Sequence, residues 1–462
     1  MCENSTPLLS AYISWLCSNF RDKRVLKNID NLCNKVIQNR NLNVYAFSSK
    51  PQEYEVFRGL LNGKQVATLE SSKLLDAVAE RVKSGLGALG GRHYVLHDGC
   101  DIRKPNSKEM EHLGQVLSLS KQVISGYKTM NSVVVSPDTQ SVELLCHELY
   151  SNKMPNYIGE TVLNDETLRA TLSAEQLAMV EEKTYINTKV LLFRNVEKSS
   201  RLLKEQCSAN IVCHLLDREH DDEDTFREIA EERGDEFIIR LRHNRCSHQT
   251  YFPFTPSGKI SKKAVNYKLI DKSFEHGSTY EIESIRIKGK TYKNVQAVIA
   301  WEALQLAEKT YNVVRITLTK AGKPLFAQPM LLITNRPVTN AEEAKGIYMA
   351  YLLRSKIEVV FKFLKQHLGW EAFQVRDFNS IKNLLALAFF LVGFFPELQT
   401  QLANHPTAQY LCDLARSKGK VTLHFLLKGL EKLAHFEEVQ AWMTEYNITQ
   451  DQIQEILAYV RT

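Results

Sequence analysis

Two short apolar runs, each stopping at an acid, constrain the fold of this chain most. They are His93-Tyr-Val-Leu-His-Asp98 and Asn210-Ile-Val-Cys-His-Leu-Leu-Asp217. Apolar runs of this length, bounded by polar or glycine-rich segments, read as strands. Gly90-Gly91 precedes the first, and everything before it has helical spacing. Two more strands are expected between the runs, at 126–135, closed by Ser136-Pro137, and at 141–149. Three successive strands of this kind suggest an antiparallel meander.

Helical spacing follows from about 173 to 182 and on to the region 196–206, before the second run. A helix at 223–233 then leads through Gly234 to a strand at 236–242. Three strands, helix, strand, helix, strand is the order of an RNase H-like fold, a mixed sheet flanked by helices. The first and fourth strands of such a sheet are adjacent, which brings Asp98 and Asp217 close together. Acids at strand ends are commonly turn formers or helix caps, and Asp101, Asp221, Asp222 and Asp224 compete nearby. Asp98 and Asp217 are preferred because each directly follows a continuous apolar strand, whereas Asp222 or Asp224 suits a cap on the helix near Glu223.

Residues from about 243 to 330 interrupt this order. They are rich in Val, Ile, Thr, Tyr and Lys, alternate like strands at 280–288 and 311–319, and carry Gly289 and Gly322 where hairpin turns are expected. This reads as a β-rich insertion. A strand at 330–334 and a turn at Asn335-Arg-Pro337 return the chain to a helix beginning near Ala341. The expected organisation is a helical N-terminal region at 1–88, a catalytic domain at 89–375 and a helical C-terminal region at 376–462. A helix pair at 54–64 and 68–73 is compatible with DNA binding or with an ordinary bundle.

The helix continues through Tyr351-Leu-Leu-Arg354-Ser-Lys-Ile-Glu358-Val-Val-Phe-Lys362-Phe-Leu-Lys365. At about 100° per residue, Tyr351, Arg354, Glu358 and Lys365 fall within roughly 60°, and Lys362 lies with them. Leu352, Leu353, Ile357, Val359, Val360, Phe361, Phe363 and Leu364 fill the opposite arc and are expected to be buried. Alone, such a stripe is an ordinary solvated face. With Asp98 and Asp217, Glu358 makes three carboxylates, as two divalent ions require, and the cations and phenol suit phosphate oxygens.

A formal net charge of +6 permits nucleic acid as a partner without demanding it. The nine cysteines show no Cys-x-x-Cys pair or zinc spacing and read as reduced cytosolic thiols. No signal peptide is visible, and the most apolar stretch, 384–395, is too short to span a bilayer, so it is expected to be a buried core helix.

The spacing Tyr351-x2-Arg354-x3-Glu358-x6-Lys365 resembles the Tyr-Arg-Glu-Lys signature of bacterial DDE transposases of the insertion-sequence-four family. Leu216-Asp217-Arg218-Glu219 and His97-Asp98-Gly99 look like that family's second and first Asp motifs, and Arg58-Gly-Leu-Leu-Asn62 is similar to a weaker family pattern. The likeness spans roughly residues 50 to 375. It implies that Asp98, Asp217 and Glu358 bind two divalent metal ions, Mg²⁺ or Mn²⁺, and that Tyr351, Arg354 and Lys365 contact phosphates. It implies cut-and-paste transposition by end nicking, hairpin formation, hairpin opening and strand transfer. The expected partners are double-stranded DNA, as terminal inverted repeats and target, and a second copy of the chain in the DNA complex, its contact expected from the C-terminal helices. A bacterial cytoplasmic location is expected, with no membrane partner.

In relatives the β-rich insertion holds a flipped base on a Trp, and Trp301 is the Trp within this insertion. Its ordinary reading is core packing at the start of a helical stretch, 301–307. Arg240 and Arg242, on alternate positions of one strand, are candidate DNA backbone contacts with Lys362. Lys259, Lys262, Lys263, Lys288, Lys290 and Lys293 add basic character. His97 and His214 lie on different sides from the adjacent acids and receive no role. A catalytically idle, transposase-derived DNA-binding protein is the other reading, and a two-metal nuclease without strand transfer a third; the complete set of acids favours activity.

Overall fold

The computed structural model describes residues 7–452, apart from 19, 21, 63–68, 70, 87–90, 136–141, 208–209, 252–259, 261–264, 288–289, 307–308, 396–407 and 417–422. The expected turns at Ser136-Pro137 and Gly289 lie outside the described residues, as do Lys259, Lys262, Lys263 and Lys288. The chain divides into two units, residues 78–362 and residues 1–77 with 363–462.

The first unit is built on one sheet. Its strands are β1 (Arg92–Arg103), β2 (Gly114–Leu117), β3 (Val123–Val135), β4 (Val142–Tyr150), β5 (Ile211–Leu216) and β6 (Glu236–Arg240). They continue with β7 (Cys246–Tyr251), β8 (Val265–Lys268), β9 (His276–Ile287), β10 (Lys290–Leu306), β11 (Lys309–Lys320), β12 (Lys323–Pro324) and β13 (Met330–Thr334). The sheet order is β2-β3-β1-β5-β6-β13-β11-β10-β9, with β4 also on β3. β1 is antiparallel to β3 and parallel to β5, and β5 is parallel to β6. This is a mixed sheet flanked by helices, consistent with the expected RNase H-like fold.

The region read as an insertion is part of that sheet. β13 is antiparallel to both β6 and β11, so β11, β10 and β9 extend the sheet outward from β6. Among the described residues, only β7 and β8 pair apart, as a two-stranded ribbon. Gly322 turns β11 into β12 at φ +74°, a left-handed conformation that favours glycine.

The helices between β4 and β5 are α6 (Glu160–Asn164), α7 (Glu166–Arg169), α8 (Ala174–Glu181) and α9 (Thr188–Arg201). Ser173 and Gln176 form a capping box that starts α8. α9 packs on β1, β3 and β4. It adds Leu191, Leu192 and Val196 to a core shared with Leu216, Phe226, Phe237, Val313 and Ile333. α9 ends in a π turn, Leu202–Gln206, and α10 (Glu223–Arg227) ends in another, Glu228–Glu232. α11 (Ala341–Leu352) follows β13 and packs on β10 and β11.

The second unit is helical. It holds α1 (Pro7–Cys17), α2 (Lys23–Asn39), α3 (Val44–Phe47) and α4 (Pro51–Leu61) at one end of the chain. At the other end it holds α13 (Phe378–Val392) and the helices Ala408–Leu414 and Leu423–Glu445. The Tyr12 hydroxyl donates to the Phe390 carbonyl at 2.6 Å, and the Asn383 amide donates to the Leu61 carbonyl at 2.8 Å, so the two terminal segments share one core. α13 is buried along nearly its whole length, as expected for the apolar run. The unit boundaries cross α5 (Ser71–Leu86) and α12 (Ser355–His367). Among the described residues no helix is long and apolar enough to cross a membrane.

Candidate active site

Asp98 does not end its strand. β1 runs on to Arg103 because its ladder with β3 continues through Arg103↔Gly126. The pairing with β5 stops earlier, at Leu96↔Leu215. Asp98 thus stands beyond the last β5 partner, and Asp217 follows β5 directly. Paired residues share a face, so Asp98 and Asp217, each two positions on, continue one face together. The Asn131 amide, opposite Asp98 in register, donates to the Asp98 carbonyl at 3.4 Å. Asp217 caps the short turn Arg218–His220, its Oδ1 accepting from the Glu219 amide at 2.7 Å.

The single helix expected through residues 351–365 is two. α11 ends at Leu352 and α12 begins at Ser355. Bonds from Leu353 N to Ala350 O and from Arg354 N to Tyr351 O, both 3.0 Å, tighten the chain between them. Arg354 leaves this turn instead of a helix face. Its Nη2 lies 2.9 Å from Asp98 Oδ2 and 3.5 Å from Asp217 Oδ2, and its Nη1 donates to Glu358 Oε1 at 2.7 Å. One guanidinium therefore joins acids from β1, the end of β5 and α12. The break also corrects the expected faces: Tyr351 is buried, while Val359 is 64% exposed.

Burial pushes the Asp98 carboxyl up to about 7; the Arg354 charge opposes this, and Asp217 and Glu358 add to it. The Arg354 guanidinium side chain is 14% exposed, and its Nε is buried with no hydrogen-bond partner among the described residues. Burial pushes the Tyr351 phenol up to about 12, against the nearby charges of Arg354 and Arg240. Among the described residues no three of His, Cys, Asp and Glu are grouped to hold a metal ion. The three carboxylates are nonetheless an all-oxygen donor set of the kind Mg²⁺ takes, and a cation already stands among them. The donor chemistry fits a hard divalent ion, while the guanidinium sets the present arrangement.

The competing aspartates are engaged elsewhere. Asp222 caps α10, accepting from the Thr225 amide at 3.0 Å, and Asp224 pairs with Lys189 at 2.7 Å. Asp221 accepts from the Arg242 amide at 2.8 Å, and Asp101 accepts from the Leu117 amide at 3.3 Å. Lys362 is exposed on α12, and Lys365, past the unit boundary, pairs with Glu371 at 3.0 Å.

Arg240 and Arg242 do not share one strand face, because β6 ends at Arg240. Arg240 lines a cavity of about 480 Å³ with His243, Phe326, Met330 and Tyr348. Arg242 donates to the Arg218 and Glu219 carbonyls, both at 3.1 Å, and so braces the turn that carries Asp217. Trp301 lies in β10, not in a helix; it is 6% exposed, with its ring 5.7 Å from that of His276. No exposed indole face is offered there.

Sequence reasoning gave no role to a polar chain on the opposite face. His97 Nδ1 lies 2.7 Å from Ser132 Oγ and its Nε2 2.8 Å from His214 Nδ1. His214 Nε2 reaches Asp235 Oδ2 at 3.0 Å, and Lys204, in the π turn after α9, pairs with Asp235 at 2.5 Å. Burial holds the His97 ring well below its usual pKa. The signal was present: paired strands place positions 97 and 214 on one face, away from Asp98.

Residues 193–393 match the family model of the transposase DDE domain, which supports a transposase that acts on DNA and generally uses divalent metal ions. The matched span holds Asp217, Tyr351, Arg354, Glu358 and Lys365, while Asp98 precedes it. No curated protein matches the chain.

Proposed function

We propose that this chain is a cut-and-paste DNA transposase of the insertion-sequence-four type. Asp98, Asp217 and Glu358 would hold two Mg²⁺ or Mn²⁺ ions, and Tyr351, Arg354 and Lys365 would contact phosphates at the cleaved end. The observation that carries the proposal is the meeting of three acids from β1, the end of β5 and α12 on one guanidinium, in a chain that matches a transposase DDE domain. When bound, the divalent ions supply Lewis acidity for in-line attack on phosphorus.

The chain's own groups bind and orient. The Tyr351 phenol, pushed up to about 12 by burial, keeps its proton at neutral pH and can donate it to a phosphate oxygen. Arg354 offers a planar donor edge that suits phosphate. The reaction proposed is nicking, hairpin formation, hairpin opening and strand transfer, carried out by paired copies on terminal inverted repeats. The N-terminal helices would bind DNA and the C-terminal helices would support pairing.

The test is to incubate the full chain with Mg²⁺ and a DNA fragment carrying the element's terminal inverted repeats, and to resolve hairpins and excised ends. Glu358→Gln is expected to keep end binding and lose cleavage. A Glu358→Gln variant that still cuts at the ends overturns the assignment.

A further inference from the structure

Arg354 is paired with every acid that the proposed chemistry needs. Its two Nη atoms reach Asp98, Asp217 and Glu358 at 2.7 to 3.5 Å. A guanidinium and a divalent ion compete for one set of carboxylates, because like charges at that range repel strongly in a partly buried site. As arranged, no three acids among the described residues are grouped to hold a metal ion. The pose also leaves a cost: Nε is buried with no partner among the described residues, and an unmade hydrogen bond at a buried charged group is unfavourable. A phosphate presenting two oxygens to the Nε–Nη edge would satisfy that donor, which the carboxylates do not. Arg354 sits in the turn between α11 and α12, so it can turn toward such a ligand without unwinding either helix.

We infer that Arg354 gates the carboxylate cluster: in the free protein it holds Asp98, Asp217 and Glu358 closed to divalent ions, and a DNA phosphate that takes the guanidinium opens them. The inference rests on the metal-binding role proposed for these acids. It makes cation loading depend on DNA, so the free protein keeps no armed nuclease centre. If the guanidinium closes the cluster in nine molecules of ten, the free protein binds the ion about tenfold more weakly than the opened cluster does.

The test is Mn²⁺ binding by the full chain, followed by calorimetry and by the electron paramagnetic resonance of the free ion, with no cleavage readout. Arg354→Gln is expected to bind Mn²⁺ about tenfold more tightly than the wild type, and Arg354→Gln/Glu358→Gln to lose that gain. Sulfate, as a phosphate mimic at constant ionic strength, is expected to tighten Mn²⁺ binding by the wild type, an arm that needs no variant, and to leave binding by Arg354→Gln unchanged. If Asp98→Asn and Glu358→Gln weaken binding while Arg354→Gln and sulfate leave it unchanged, the gate is wrong and the metal site stands. If none of the acid variants alters Mn²⁺ binding, the metal site fails and the gate with it.

Discussion

Neighbouring residues of β1 belong to two polar networks that the sheet keeps apart. Asp98 faces Arg354 with Asp217 and Glu358, while His97 faces Ser132 and His214 on the other side. The histidine chain is closed: it ends in an ion pair between Asp235 and Lys204, its rings are fully buried, and His97 is held neutral. The acid cluster is partly exposed and short of positive charge, with three carboxylates around one guanidinium. A balanced network in the interior rigidifies a fold, whereas an unbalanced one at its edge recruits cations. One face of β1 and β5 thus carries a buried network, and the other carries the acids proposed to hold metal ions.

The largest expected effects separate the two faces. Asp235→Ala strips the buried His214 and the partly exposed Lys204 of their anion and is expected to lower stability by about 1–3 kcal/mol. Asp217→Asn keeps a capping oxygen for the Glu219 amide and is expected to change stability by less than about 1 kcal/mol, yet to abolish cleavage. Denaturant unfolding and the end-cleavage assay on both variants decide. An unchanged unfolding midpoint for Asp235→Ala would show that the histidine chain does not hold the strands together.

Acid titrates the two faces in opposite directions. The folded His97 lies well below 6.5, so the unfolded chain takes up a proton that the folded chain refuses, and stability falls as pH drops below about 6.5. Asp98 is raised from 3.8 to about 7, so the folded chain takes the extra proton, and its contribution grows as pH falls through 7 and is complete below 3.8. Each contribution changes by about 1.4 kcal/mol per pH unit within its window. Asp98→Asn removes only the second. Metal-free unfolding of that variant between pH 7 and 5 is expected to show a steeper loss of stability than the wild type shows. Parallel profiles would mean that Asp98 titrates in its ordinary range.

The elements of this sheet were legible where local pattern decides them. Runs at 93–98 and 211–217 alternate or bury as strands must, and Asp222 caps α10 as its position suggested. What escaped depends on neighbours far along the chain. β1 continues past Asp98 through Gly99 and Asp101, a stretch with little apolar character, because β3 pairs with it. The residues between β6 and β13 alternate like strands on sight, but nothing local says that β11 pairs with β13 and joins the main sheet. Tyr351-Leu-Leu-Arg354-Ser carries no Pro or Gly, so its period reads as unbroken helix; the break coincides with the ion pairs of Arg354. The convergence of Asp98 and Asp217 was legible because β1 and β5 are adjacent and parallel, and each acid lies two residues beyond the Leu96–Leu215 pair. The guanidinium at their centre was not, because a helical wheel assigns Arg354 to a face and the turn does not.

The smallest effect tests whether the acid cluster is itself braced. Arg242 donates to the Arg218 and Glu219 carbonyls, and those residues form the turn that Asp217 caps. Arg242 is exposed, so losing its two bonds is expected to cost about 1 kcal/mol or less in stability. Its effect on cleavage should be larger than that figure suggests, because a turn that moves takes a carboxylate with it, and small displacements of a catalytic group weaken rate strongly. Arg242→Ala is therefore expected to reduce cleavage by about tenfold at unchanged DNA affinity, with Arg242→Lys no better, since an ammonium cannot span two carbonyls as a guanidinium does. Loss of DNA affinity at unchanged cleavage of bound ends would instead make Arg242 a backbone contact. It would then belong with the exposed Lys362 of α12 and not with the turn that carries Asp217.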